Sequence, residues 1–154
     1  EKSRSDPALF GMGTTIVTVI AANDKAYIAH AGDSRAYLID DDIKKLTRDH
    51  SIVQEMVENG KITQEEALVH PQKNIITRAL GVEESLEIDY SVHEFKKGST
   101  ILICTDGLTN LVSDEDIKET VKREEPEDCI VKLVNMANSN GGSDNITVVV
   151  IRNV

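Results

Sequence analysis

The sequence predicts an α+β domain built on antiparallel sheet, with its helices in separate stretches of the chain. Three observations support this prediction: β-branched runs divided by turn residues, apolar stripes with the helical period in two regions, and the fully apolar run ITVVVI near the end. With 154 residues, of which 40% are hydrophobic, the chain is large enough to bury one core.

The first four predicted strands form an antiparallel meander. The run that begins at residue 14 is rich in β-branched residues, and Asn23-Asp24 is a turn signal before the next strand. We interpret the acidic triplet at 40–42 as a solvated hairpin tip without a function. The four strands are expected at residues 14–22, 25–31, 34–39 and 43–46.

A helical excursion at 47–73 interrupts the strands. Apolar residues in SIVQEMVENG follow the helical period, and Gly60 fits a C-cap. Thr63 is a candidate N-cap for a second short helix, which ends just before Pro71. Strands are expected again at 74–80, 86–95 and 99–104.

Two further helices are expected before the last strand. Ser113 begins a segment that resembles a capping box, with acidic residues in the first turn. Pro126 suits the first turn of a helix over 127–138, whose apolar residues form one stripe. The turn-rich segment SNGGSDN then leads into ITVVVI, which brings the number of predicted strands to eight.

The charge balance excludes several classes of partner. The 17 basic and 27 acidic residues give a net charge of −10, which repels nucleic-acid phosphates and anionic lipid. No apolar run approaches the roughly 20 residues of a membrane span, and EKSRSDPALF lacks the apolar region of a signal peptide. Cys104 and Cys129 lack metal-ligand spacing and are interpreted as buried thiols in a reducing compartment. We therefore expect a cytoplasmic protein.

Three aspartates follow or precede predicted core strands. Asp33 follows YIAHAG, Asp106 follows ILICT, and Asp144 lies in GGSDN just before ITVVVI. A lone buried carboxylate costs several kcal/mol unless it is paired or bound to a cation. Acids at the ends of core strands converge on one rim of a sheet, and oxygen ligands suit Mg²⁺ or Mn²⁺. The pattern predicts a divalent-cation site.

Each of these residues, taken alone, also has an ordinary structural interpretation. Aspartate and glycine are common in turns, and Asp144 beside an asparagine fits an Asx-turn. His30 within a strand is interpreted as a packed or paired histidine, and the other three histidines show no metal-ligand spacing. The glycines of GMGTT are interpreted as allowing tight entry into a strand, because no helix follows them.

Six motifs, taken in order, resemble those of the metal-dependent protein phosphatases of type 2C in their compact bacterial form. They are GMGTT at 11–15, HAGDSRAYL at 30–38, LTRDHS at 46–51, HPQKNIITRALG at 70–81, CTDGLTN at 104–110 and GGSDNITVVV at 141–150. The resemblance runs through nearly the whole chain. It implies a single phosphatase-like domain over 1–154, with two antiparallel sheets packed as a sandwich between helices in α-β-β-α layers.

The resemblance also implies a site and a reaction. Asp106 and Asp144 correspond to ligands of a binuclear Mn²⁺ or Mg²⁺ centre, Asp33 corresponds to a ligand of a weaker third ion, and Asn110 lies near that ion. The excursion at 47–73 looks like the flap beside the family's active site. Members of the family use a metal-activated water to hydrolyse phosphoserine and phosphothreonine in proteins, without a phosphoenzyme. The expected partners are therefore phosphorylated proteins, the substrates of a Ser/Thr kinase.

One part of the family pattern has no counterpart among residues 1–10. In the family, a segment before GMGTT supplies the Asp that bridges the metals, a phosphate-binding Arg and a His proposed as general acid. No catalytic residue of these kinds is assigned here. We therefore expect the chain by itself to bind the metal pair poorly and to be nearly inactive. We also expect an incomplete sandwich at the N-terminus, with exposed apolar sheet surface that favours homodimers or strand exchange.

Other functions remain as alternatives. A pseudophosphatase would bind phosphoprotein without turnover. CTDGL superficially resembles the aspartyl-phosphate phosphatases, but Cys104 stands where their nucleophilic acid is required, and the antiparallel pattern disagrees with their parallel sheet. A cysteine phosphatase requires a glycine-rich anion loop and an Arg beside its thiol, and Cys104 lies inside a strand instead.

Overall fold

The computed structural model describes residues 5–82 and 85–154 and shows the predicted α+β architecture. Seven strands form two antiparallel sheets, one with the order β1-β2-β5 and the other with the order β4-β3-β6-β7. The strands are β1 (Ile16–Ala22), β2 (Lys25–Ala31), β3 (Arg35–Ile39), β4 (Ile43–Lys45), β5 (Asp89–Glu94), β6 (Thr100–Cys104) and β7 (Val148–Arg152).

Local sequence explains the tight connection between β1 and β2. Ala22 pairs with Lys25, so only two residues make the turn. Asn23 and Asp24 have φ values of +52° and +57°, the geometry of a type I′ hairpin, whose twist matches that of the strands it joins. Asparagine and aspartate tolerate this left-handed conformation better than other non-glycine residues. The predicted turn is confirmed.

The described residues form five α-helices. They are α1 (Ile52–Glu58), α2 (Gln64–Val69), α3 (Asp106–Thr109), α4 (Asp114–Arg123) and α5 (Pro126–Ser139), and a 3₁₀ turn spans Pro7–Leu9. Side chains cap the N-termini of α1, α2 and α4. Thr63 and Glu66 form a complete capping box at the start of α2. The Ser113 side chain accepts a hydrogen bond from the backbone N–H of Asp116 at the start of α4. None of the helices in the described part of the chain is long and apolar enough to cross a bilayer.

Two apolar layers hold the sandwich together. Between the sheets, Ala26 and Ile28 of β2 are buried, as are Ala36 of β3 and Ile101 of β6. On the other face of the four-stranded sheet, α4 and α5 bury a larger cluster that includes Leu102, Ile117 and Leu133. Each large aliphatic side chain buried in this way contributes about 2 kcal/mol. Cys104 and Cys129 lie in that cluster as free, buried thiols, as predicted.

The outer face of the three-stranded sheet differs from that of its partner. Its alternating side chains include Ile20, Tyr90 and Val92, which are 61%, 76% and 56% exposed. In the described residues the helical layer therefore covers the four-stranded sheet, whereas this face is apolar and open to solvent. Several exposed apolar side chains on one face form a contiguous apolar surface, and such a surface favours association with another molecule.

Two sequence-based expectations need correction. The predicted strand at 74–80 is a loop that makes isolated bridges from Ile76 to Ser51 and from Leu80 to Thr14. These are single bridges beside the sandwich and not a continuous ladder. The short helix α3 was not predicted. The solvated hairpin tip at 40–42 is confirmed, because its three acids are exposed, and Lys122 and Lys118 of α4 approach the carboxylates of Asp41 and Asp42 to 3.6 Å from one side only.

Candidate metal centre

Strand register places the three predicted aspartates at one edge of the sandwich. Cys104, the last residue of β6, pairs with Arg35 at the start of β3 and with Val148 at the start of β7. Asp33 lies two residues before Arg35, Asp106 follows Cys104 by two residues, and Asp144 lies four residues before Val148. In an antiparallel sheet the end of one strand meets the starts of its neighbours. We call this edge the acidic rim, defined by Asp33, Asp106 and Asp144.

The loops that carry Asp106 and Asp144 are held against each other. The Thr105 hydroxyl donates to the carbonyl of Asn145 at 3.0 Å and accepts from the backbone N–H of Thr147 at 3.0 Å. A Cβ on Gly107 would lie only 2.3 Å from the Asn145 carbonyl oxygen. Only glycine permits this close backbone approach. The structure thus brings the segments of Asp106 and Asp144 together, as the sequence predicted.

Hydrogen bonds orient two of the carboxylates. Oδ2 of Asp106 accepts from the side-chain amide of Asn110, one turn further along the chain, at 3.1 Å. Oδ1 of Asp144 accepts from the backbone N–H of Asn145 at 2.7 Å. The second contact joins neighbouring residues, whereas an Asx-turn joins a side chain to the backbone two residues on, so it does not establish the Asx-turn interpretation of this pair. The contact occupies one carboxylate oxygen and leaves the group acceptor-only, so it is compatible with a cation.

The third carboxylate shows the electrostatic character of the rim. Burial raises the pKa of Asp33 to about 6, and the charges of Asp106 and then of Asp49 add to the increase. Within residues 5–82 and 85–154, no lysine, arginine or histidine forms a salt bridge with any of the three rim acids. The rim therefore carries uncompensated negative charge on oxygen donors. Hard divalent cations such as Mg²⁺ and Mn²⁺ prefer this kind of donor set.

A neighbouring acid has the opposite environment. Asp49 is buried, and it accepts from Arg35, whose Nη2 lies 2.7 Å from Oδ2, and from Lys45 at 3.4 Å. Although burial opposes the charge of Arg35, the contacts with Tyr37 and Asp49 raise its pKa above the ordinary value. Asp49 is thus a paired, structural acid that stands close to the rim without belonging to it.

The tightest group of potential metal ligands in the described chain is one that the sequence did not predict. His30, His50 and Asp89 each place one ligand atom within 4.8 Å of the others, and the three rim acids form no group of that kind. A cation does not suit these three residues, because Arg78 Nη1 lies 2.7 Å from Asp89 Oδ1 and 3.2 Å from His50 Nε2. His30 donates to the carbonyl of Arg48 at 2.8 Å. The interpretation of His30 as a paired histidine is therefore confirmed.

Sequence spacing contains no signal for this second cluster. Its members come from β2, from the segment before α1, from the 74–80 loop and from the start of β5, so only the folded chain brings them together. Burial lowers the pKa of His50, although Asp89 opposes this shift. Although burial acts against it, hydrogen bonds from His50 and Arg78 lower the pKa of Asp89. The positive charge of Arg78 offsets the negative charge of Asp89 here, in contrast to the rim.

The structure also bears on the alternative enzyme classes. Burial raises the pKa of the Cys104 thiol to about 12, which keeps it protonated and unreactive as a nucleophile. Every strand pair in the described residues is antiparallel, which disagrees with the parallel sheet of the aspartyl-phosphate enzymes. Both alternatives are therefore rejected.

Comparison with known proteins identifies the family. Residues 2–146 match the family described as protein phosphatase 2C. The chain is 45% identical over 152 residues to the serine/threonine phosphatase stp of Listeria innocua, covering 97% of this chain and 60% of that protein. It superposes on the Mycobacterium tuberculosis serine/threonine phosphatase PstP/Ppp with a TM-score of 0.91 at 40% identity, covering 97% of this chain and 63% of that one.

A second solved structure bears on the metal. A catalytic domain of PstP in complex with two manganese ions superposes with a TM-score of 0.87 at 37% identity, covering 97% of this chain and 62% of that one. The chain described here spans about three fifths of the length of the curated relatives that it matches. The family match, which extends over most of the residues, and the similarity to these structures agree with the motifs and with the fold. This chain belongs to the protein phosphatase 2C family.

Proposed function

We propose that the protein takes part in the metal-dependent dephosphorylation of phosphoserine and phosphothreonine in proteins, with the acidic rim as its metal centre. The observation that supports this proposal most directly is the uncompensated charge of the rim. Three acids lie at one edge of the sandwich, and burial and mutual repulsion raise the pKa of Asp33 to about 6. A divalent cation would offset that repulsion. The two manganese ions bound by the similar PstP domain favour the same assignment.

Each rim residue has a specific task in this proposal. Asp106 and Asp144 hold the main cation pair, and Asp33 holds a weaker third ion. Asn110 fixes the orientation of Asp106, and Thr105 keeps the two loops in contact. When bound, the metals supply a water of lowered pKa and neutralise charge on the phosphoryl oxygens.

We propose that the helical segment at 47–73 is a flap beside this rim, and one backbone hydrogen bond supports the proposal. The His50 backbone N–H donates to the carbonyl of Gly32, next to Asp33, at 3.0 Å. From there the chain enters α1, capped by Ser51. We propose that the flap contacts the phosphoprotein around the phosphorylated residue. The proposed partners are phosphorylated proteins made by a Ser/Thr kinase, and the proposed location is the cytoplasm.

The activity of the 154-residue chain alone is expected to be low. Two or three carboxylates compete poorly with water for Mg²⁺, which dehydrates reluctantly. The test measures Mn²⁺ binding by calorimetry and phosphopeptide hydrolysis by phosphate release, on the chain and on its Asp106→Asn variant. Asp116→Asn serves as a matched control, because it removes an acid from α4, away from the rim.

Weak Mn²⁺ binding that Asp106→Asn abolishes and Asp116→Asn preserves would support the metal centre. Equal binding by all three proteins would contradict it. Phosphopeptide binding without phosphate release would favour the pseudophosphatase alternative. Rapid hydrolysis by the chain alone would show that the expectation of low activity is wrong, while it would support the reaction itself.

Self-association stays a prediction. The apolar outer face of the three-stranded sheet, which includes Ile20, Tyr90 and Val92, offers a surface for a second copy of the chain. Sedimentation velocity over a range of protein concentrations tests this. A dimer that Tyr90→Lys disrupts would support the prediction, whereas a monomer at all concentrations would contradict it.

A further inference from the structure

His50 is a buried histidine that the metal centre does not use directly. It is 1% exposed and lies where four segments meet: the turn after β2, the entry to α1, the 74–80 loop and the start of β5. Its ring stacks on that of His30, with centroids 4.8 Å apart and planes inclined by 12°. Such a residue is fixed by its neighbours, so the direction of each of its hydrogen bonds has structural consequences.

The hydrogen bonds of His50 define its tautomer. The backbone N–H of Gly32 donates to Nδ1 at 3.1 Å, so Nδ1 must present a lone pair. A neutral imidazole with a lone pair on Nδ1 carries its proton on Nε2, which lies 3.1 Å from the acceptor Oδ2 of Asp89 and 3.2 Å from Arg78 Nη1. The ring is therefore neutral and acts as an acceptor on the side that faces Gly32.

Gly32 is held at both of its polar backbone atoms by the same residue. Its N–H donates to the His50 ring, and its carbonyl accepts from the His50 backbone N–H at 3.0 Å. Gly32 has φ +113°, and a Cβ there would lie 2.3 Å from Cγ2 of Thr15. The peptide that leads into Asp33 is thus confined by steric contact on one side and by His50 on the other.

His50 lies within the flap and is also joined to the 74–80 loop. Its carbonyl accepts from the backbone N–H of Thr77 at 2.8 Å. Asp89, which lies beside His50 Nε2, also accepts a hydrogen bond from Arg78 Nη1 at 2.7 Å. His50 precedes Ser51, whose side chain caps α1. A movement of the flap or of the 74–80 loop would therefore reach Gly32 through this one residue.

We propose that His50 is a positioning residue that sets the place of Asp33 in the acidic rim by accepting a hydrogen bond from the Gly32 N–H. The proposal rests on the proposed function of the rim as a cation site. His50 contacts neither substrate nor metal in it, and its ring acts only through the Ala31–Gly32 peptide, whose N–H lies one residue before Asp33. The contacts with Thr77 and Arg78 make that placement sensitive to the 74–80 loop.

Two substitutions separate the two sides of the ring. In His50→Asn, the amide oxygen can reach the position of Nδ1 and accept from Gly32, but the contact with Asp89 is lost. In His50→Gln, the longer amide can reach Asp89, but no acceptor faces Gly32. Both remove the ring and its stacking on His30, so they share the purely structural cost. Only the second leaves the buried Gly32 N–H without a partner.

The experiment uses amide hydrogen exchange and paramagnetic broadening by Mn²⁺, both followed by NMR on the chain. We expect exchange of the Gly32 amide to accelerate at least tenfold in His50→Gln, while it stays within about threefold of the wild type in His50→Asn. We expect the Mn²⁺ concentration that half-broadens the Asp33 amide to rise about fivefold or more in His50→Gln only. Equal effects of the two variants on both measurements would overturn the proposal.

A measurement on the unmodified protein keeps the proposal testable if the variants do not fold. Long-range ¹H–¹⁵N spectra report the tautomer of each imidazole, and the proposal requires the Nε2–H form for His50. An Nδ1–H signal would overturn it. If Mn²⁺ broadens none of the amides near the rim in the wild type, the proposed metal centre fails, and the positioning role fails with it. If the metal binds but the variants behave alike, only the positioning role fails.

Discussion

The acids of the rim and the paired acids beside them, Asp49 and Asp89, differ in their surroundings. Asp33 is half-buried and is opposed by Asp106, whereas Asp49 is buried and is paired with Arg35 and Lys45. Arg35 follows Asp33 by two residues, so one short motif supplies both an uncompensated acid and the base that compensates another acid. The Arg35 guanidinium bonds Asp49 and forms no salt bridge with Asp33, so its charge offsets only part of the increase in the pKa of Asp33.

This contrast shows which observation points to function. Burial alone does not, because Asp49 is more buried than Asp33. The direction of the pKa shift distinguishes Asp33 from Asp89: the pKa of Asp33 rises to about 6 through burial and repulsion, and the pKa of Asp89 falls because His50 and Arg78 outweigh burial. Paired acids stabilise the fold, whereas converging unpaired acids lower its stability until a cation binds.

The largest expected effect is in the paired region. Asp49→Asn leaves the Arg35 guanidinium largely buried without a counter-charge, and we expect a loss of about 3 kcal/mol in the free energy of unfolding. Urea unfolding at neutral pH in EDTA measures it. Glu58→Gln is the control, because its ion pair with Arg48 is exposed and contributes at most about 1 kcal/mol. Equal losses in the two variants would contradict the distinction between buried and exposed pairs.

The contact between the loops that carry Asp106 and Asp144 gives the next largest effect. In Gly107→Ala the new Cβ would lie 2.3 Å from the Asn145 carbonyl oxygen, so the loops must separate. We expect a loss of about 2 kcal/mol in stability together with weaker Mn²⁺ binding. Gly60→Ala is the control, because it replaces a glycine at φ +68° with open space around it and is expected to cost about 1 kcal/mol. Its Mn²⁺ affinity should not change, and an equal weakening in both variants would contradict the prediction.

Much of the rim could be predicted from the sequence, because its signals are local. Each aspartate adjoins an apolar run with a clear β-pattern, and antiparallel pairing of these strands places the three aspartates along one edge of the sandwich. The His50 cluster could not be predicted, since its members lie in four separate segments and have no characteristic spacing. The loop at 74–80 was mistaken for a strand because β-branched composition reports a preference for extended backbone, whereas ladder formation depends on which neighbours are available.

A smaller effect with the opposite sign is expected at the rim. Asp33→Asn removes a charge that burial and Asp106 both disfavour, so the metal-free variant should be more stable than the wild type by up to about 1 kcal/mol at neutral pH, a gain that partial exposure limits. Thermal unfolding in EDTA measures this gain. Addition of Mn²⁺ should then stabilise the wild type more than the variant. A loss of stability in EDTA would show that the carboxylate has a partner and that the rim is not uncompensated.

The smallest effect is a pH dependence carried by His50. Because burial lowers the pKa of His50 from its ordinary value of 6.5, the unfolded chain takes up a proton more readily than the folded chain. The stability that the neutral ring provides is therefore complete above about pH 6.5 and is lost as the pH falls below that value. Burial is the main cause of this shift, and in the folded protein a proton on Nδ1 would in addition oppose the Gly32 N–H. Urea unfolding of the wild type and of His50→Asn between pH 7.5 and 5.5 isolates this contribution, since all other titrating groups are shared. The stability advantage of the wild type should shrink toward acid pH, and an advantage that stays constant or grows would show that His50 is not held in the neutral form.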